Sequence, residues 1–146
     1  MTRLILVCLI CALSACGGVR GPQTAPISGL KQKDVDKEAL TFSNKMQLAN
    51  SYSGACPDIR RSGANNSDAI NAFYNEMFRR GYAGEQVNKA LATIGQATQA
   101  ERDADFTALL SARGLTGSST TAELCAAAKR DILQQTFVGQ MIEVRG

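Results

Sequence analysis

Glu101, Asp103 and Asp105 crowd around Arg102, and paired carboxylates are the usual equipment for general acid and base catalysis. Their spacing argues against that use. Residues two apart on a helix point to different sides, and an acid is told from its base by environment, which an exposed face does not supply. The cluster is expected to be a solvated face, and no residue is assigned a catalytic role. The chain has no histidine, which removes the commonest general base and a common metal ligand together. Scattered carboxylates alone make a poor ligand set, so neither a metal nor a cofactor is expected.

Two further groups of side chains could bind. Arg60-Arg61, Arg79-Arg80 and Lys129-Arg130 are the basic pairs. In an antiparallel helical bundle, Arg60 and Arg61 would share an end with Arg113, giving a possible anion contact. The plainer reading is that arginines in a last helical turn complement the helix dipole, as Arg79 and Arg80 would before Gly81. Tyr52, Tyr74, Tyr82, Phe73 and Phe78 could line a groove for a peptide or lipid, but in a chain with no tryptophan they serve core packing more simply. The formal charge of +3 is spread along the sequence and makes no dense basic stripe, so nucleic acid is not an expected partner.

The elements that would hold these residues are helical. Phe42, Met46, Ala49, Ser53 and Cys56 recur at steps of three and four, predicting a first helix over 34–61. Pro57, preceded by Ser53 and Gly54, predicts a break near 54–57 and a short second piece carrying Ile59. After a turn at 62–66, Ser67 as N-cap and Asp68 in the first turn predict a helix over 68–80 with Ile70, Phe73, Tyr74, Met77 and Phe78 on its apolar side. Gly81 would end it in the left-handed conformation. A long helix over 84–113, ended by Gly114, carries Val87, Leu91, Ile94, Thr98, Phe106, Leu109 and Leu110 near one side; its polar middle, 96–105, is either exposed or a site of bending near Gly95. Thr120 and Glu123 form a capping box before a last helix over 121–144. No strand period is visible. The expected fold is all-α, a small antiparallel bundle of about four helices.

The N-terminus has its own pattern. Arg3 precedes an apolar run from Leu4 to Leu13, shorter than the roughly 20 residues a membrane span needs, and small residues follow, as in an export signal. Ala12 and Ser14 would also suit an ordinary secretory signal cut after Ser14. Leu13 fits better in Leu13-Ser14-Ala15-Cys16, which resembles the lipobox of bacterial lipoproteins, with Gly17-Gly18 after it. That resemblance implies cleavage before Cys16, a diacylglycerol on its sulfur and, in Gram-negative cells, a further acyl chain on its amine. Gly17 in place of aspartate implies the outer membrane, facing the periplasm. The expected organisation is a signal at 1–15, a lipidated N-terminus and flexible tether at 16–33, reaching about 20–25 Å, and a helical domain at 34–146.

Cys8 and Cys11 would leave with the signal and Cys16 would be acylated, so Cys56 and Cys125 remain. In an oxidising compartment two cysteines are expected to form one disulfide, the alternative being two buried free thiols. The pattern Cys56-x-x-Ile59-Arg60, Gly81-Tyr82-x-x-Glu85-x-Val87, Arg113-Gly114, Cys125 and Gly139 resembles a family of small exported, two-cysteine helical proteins of Gram-negative bacteria that has no assigned activity. It carries no site residue over. The resulting expectation is an envelope protein fixed to its membrane by lipid, a non-catalytic accessory or scaffold that binds another envelope protein or a cell-wall polymer. A small apolar-ligand or lipid carrier is the alternative, and it requires an enclosed apolar cavity.

Overall fold

Apolar residues fall on several sides of the chain's longest helical segment, and that arrangement sets the architecture. The computed structural model describes residues 29–63 and 66–146. Helix α1 (Gln32–Ala55) buries Val35, Ala39, Phe42, Leu48, Ala49 and Tyr52, an arc too wide for a single seam. It is the spine of an all-α domain. Around it lie α3 (Gly84–Thr93), α4 (Gln99–Ser111), α5 (Thr121–Leu133) and α6 (Phe137–Gln140). Helix α2 (Asn66–Arg79) sits at the edge, held to the spine by the Phe42 and Phe73 rings, 4.8 Å apart, and by the Arg80–Glu38 ion pair at 2.9 Å. No helix among the described residues is long and apolar enough to cross a membrane.

The spine runs antiparallel to two neighbours. Cys56, at its C-terminal cap, is bridged to Cys125 in the second turn of α5, while Tyr52 meets Asp131 further along α5. On the other flank Thr41 and Asn44 both reach Asp105 of α4, and Asn44 also donates to the Arg102 carbonyl. The disulfide therefore joins the end of the first helix to the start of the fifth, with Cα atoms 5.5 Å apart.

One expectation holds and three change. The first helix stops at Ala55, within the break expected near 54–57, because Cys56 turns extended and Pro57 has no N–H to continue the ladder. The piece carrying Ile59 is a strand, β1 (Ile59–Arg61), paired antiparallel with β2 (Ile142–Val144) in the register Ile59 to Val144, Arg60 to Glu143 and Arg61 to Ile142. Strands of three residues are too short for alternation to declare itself. The 84–113 segment is two helices, separated by a 3₁₀ turn at Ile94–Gln96. Thr98 starts the second one, its hydroxyl accepting from the Glu101 N–H while the Glu101 carboxylate accepts from the Thr98 N–H. The last segment ends as a helix at Leu133, and the described residues hold six helices where about four were expected.

That early ending has a local cause. Gln135 adopts a positive φ of 49°, and Thr136 caps α6 by accepting from the Gly139 N–H. Gly139 lies so close to α5 that a Cβ there would stand 1.9 Å from the Asp131 carbonyl oxygen. Glycine is required by contact at this position. Elsewhere the expected stops hold, since Gly81 and Gly114 have φ of 90° and 71° and end α2 and α4 as left-handed residues. Thr120 and Glu123 form the expected capping box of α5.

Candidate functional site

A groove of about 720 Å³ lies between the first turns of α1, the end of α3 with its 3₁₀ turn, and α4. Leu40, Ala90, Ile94, Ala97, Ala104 and Ala108 give it an apolar lining, and Lys33, Lys37, Asp36, Glu101 and Asp105 stand at its margins. The small side chains of α4 make the depression, because alanine fills little of the space between two helices. Solvent reaches it along its length, as Lys33, Lys37, Glu101, Ala104 and Ala108 are all exposed.

The carboxylates around this groove are already engaged. Glu101 accepts from the Thr98 hydroxyl and N–H, at 2.7 and 2.8 Å, and those bonds, the hydroxyl foremost, hold its carboxyl below the usual range. Asp105 accepts from the Thr41 hydroxyl at 2.6 Å and the Asn44 amide at 2.8 Å. Asp36 accepts from the Gln32 amide at 2.8 Å. The expectation of a solvated face is thus corrected for Asp105, which is half-buried and clamps α4 to α1. Asp103 bonds Gln99 within its own helix, and Arg102 folds back onto the carbonyls of Gly95 and Ala97. The groove margin thus carries a helix cap at Glu101 and an interhelical clamp at Asp105.

The expected site residues are dispersed. Cys16 lies outside the described residues. Cys56 and Cys125 form the disulfide. Arg60 pairs with Glu143 opposite it on β2, Nε to Oε1 at 2.8 Å. Arg61 shares the inner side of β1 with buried Ile59, and its Nη1 is buried with no hydrogen-bond partner, so desolvation lowers its pKa. Arg113, its side chain 15% exposed, gives Nε to Asp131 Oδ2 at 2.7 Å and Nη1 to the Leu109 carbonyl at 3.0 Å. Two of these three arginines, Arg60 and Arg113, are paired with carboxylates. The aromatic residues also separate: Tyr52, Phe73 and Tyr82 are core, while Tyr74 and Phe78 lie at the surface.

Asp131 had no signal in the sequence, where it follows Lys129 and Arg130 and reads as another surface charge. In the fold it is 4% exposed. Its Oδ2 accepts from Arg113 and, at 3.3 Å, from the Tyr52 hydroxyl, and its Oδ1 accepts from the Thr136 hydroxyl at 2.8 Å. Burial, with the negative charge of Asp131 beside it, pushes the Tyr52 phenol above its ordinary pKa. Every member of this cluster has a partner, which is how a buried polar network holds one arrangement. It joins α1, α4, α5 and α6 at one point and offers no open coordination to a substrate.

Among the described residues no three of His, Cys, Asp and Glu are gathered to hold a metal ion. No protein-family model, curated protein or solved structure matches the chain.

Proposed function

We propose that this chain is a lipid-anchored protein of the cell envelope, on the periplasmic side of the outer membrane, and that it works as a non-catalytic accessory or scaffold. The observation that carries the reading is the groove between α1, α3 and α4, whose apolar lining is open for contact while the acidic groups beside it are tied up in caps and clamps. Such a surface suits recognition of a partner by shape, here another envelope protein or a cell-wall polymer. The Leu13-Ser14-Ala15-Cys16 motif supports the anchor, and the Cys56–Cys125 bridge supports an oxidising compartment. A carrier for an acyl chain would need an enclosed cavity, and the open groove favours contact over carriage.

Photo-crosslinkers placed at Leu40 and Ala104 in intact cells test the contact. Capture of one discrete protein or wall-polymer adduct from both positions, and none from Ser118 outside the groove, is the expected result. Equal, diffuse capture from all three counts against it. The anchor has a separate test: the mature N-terminus should be Cys16 with added acyl mass, and Cys16→Ser should leave the protein unprocessed or soluble.

A further inference from the structure

Helix α2 buries one side and leaves the other uncovered. Ala69, Phe73 and Met77 pack inward, whereas Ile70 and Phe78 are 37% and 40% exposed, with half-buried Tyr74 between them. Steps of four put these three on one stripe about 12 Å long. The Tyr74 and Phe78 rings lie 5.7 Å apart, and the Tyr74 hydroxyl is fixed by a hydrogen bond to Asn88. The stripe is thus a rigid apolar edge carried by the helix that is least embedded in the domain.

Its position relative to the chain's entry point is the second observation. The Gln86 amide donates to the Leu30 carbonyl and the Gln32 amide to the Gln86 carbonyl, so the first described residues are stitched to the start of α3. Gly84, the first residue of α3, stands against the Phe78 ring. The stripe therefore begins where the N-terminal segment joins the fold. Only 13 positions separate Cys16 from Gly29, which covalent geometry limits to about 45 Å. Charges near the stripe largely cancel, Arg79 with Glu76 and Arg80 with Glu38.

We infer that the Ile70–Tyr74–Phe78 edge of α2 rests on the phospholipid surface to which Cys16 is fastened, so that the domain lies with α2 against the bilayer. This rests on the lipid-anchor reading above. An amphipathic helix lying in the interface sinks its apolar side about 5–10 Å into the headgroup boundary, and tyrosine is enriched at that depth. Because Arg79 and Arg80 are paired with Glu76 and Glu38, apolar burial carries the contact and added salt leaves it intact.

The chain has no tryptophan, so a single one reports its own surroundings. Full-length processed protein carrying Phe78→Trp, Ile70→Trp or Thr107→Trp is placed in phosphatidylethanolamine and phosphatidylglycerol vesicles with or without brominated acyl chains. Thr107 is an exposed residue of α4, which packs on α1 through Asn44, across the spine from Phe42. Blue-shifted emission, quenched roughly twofold or more by bromine at positions 70 and 78 but not at 107, is expected for an interfacial edge. Protein that floats with the vesicles and carries acyl mass, yet shows no quenching at 70 and 78, overturns this inference and leaves the anchor standing. A blue shift without bromine quenching reports packing against protein, not lipid, and overturns it as well. Absence of both flotation and acyl mass removes the anchor reading and this one together.

Discussion

Asp131 shows how much one side chain can hold. It is buried with Arg113, Tyr52 and Thr136 as donors, and removing one partner of a buried pair leaves the other charge uncompensated. Asp131→Ala should lower unfolding free energy by about 3 kcal/mol in urea titrations. A loss no larger than that of an exposed control such as Asp103→Ala would mean that the network is not structural. Tyr52 adds a pH dependence. Its folded pKa lies above its unfolded value of 10.0, so its contribution is complete below about pH 10 and is lost as pH rises beyond it, at up to about 1.4 kcal/mol per unit. Tyr52→Phe should flatten that alkaline decline, and equal slopes in both proteins would exclude the phenol as its source. At this scale the cysteines were legible, because Cys56 and Cys125 are the two that lie beyond the N-terminal stretch read as a signal and lipobox. Asp131 and Asp105 were not, because nothing in a run of charges tells which one a neighbouring helix will cover.

Single elements follow local rules closely. The Thr120 and Glu123 box was readable, and the Thr98 and Glu101 box has the same spacing, yet its strength as a helix start was masked by the polar continuity of 84–113. Thr120→Ala should cost about 1 kcal/mol of stability. A fully unchanged unfolding midpoint would show that α5 is held by packing alone. Both boxes depress the pKa of their glutamate, Glu101 chiefly through the Thr98 hydroxyl and Glu123 chiefly through the Thr120 N–H. That support is present at neutral pH and is withdrawn as acid protonates the carboxylates. Gly81 and Gly114 were legible as stops, whereas the need for Gly139 arises from the Asp131 backbone against it, a tertiary contact that composition cannot reveal.

For the whole molecule the all-α class was readable from periodicity, and the ribbon of β1 and β2 was not. The spine's wide buried arc was also underestimated, since the visible face of Phe42, Met46, Ala49, Ser53 and Cys56 omits Leu48 and Tyr52, both fully buried. The bridge spans 69 positions, and constraint of the unfolded chain by a loop of that size is worth about 4 kcal/mol. Reduction should shift the urea midpoint downward accordingly and change electrophoretic mobility, while two alkylatable thiols in untreated protein would deny the bond. As for the groove, its walls were partly foreseen as helices, but its existence depends on how α3 and α4 diverge at the 3₁₀ turn.

The ribbon also imposes an order in time. Ile59 pairs through its backbone with a strand that begins more than eighty positions later in the chain, and synthesis proceeds from the N-terminus. Until residue 144 has emerged, β1 lacks its hydrogen-bonding partner, so the ribbon can close only after the helices between its two strands have been made.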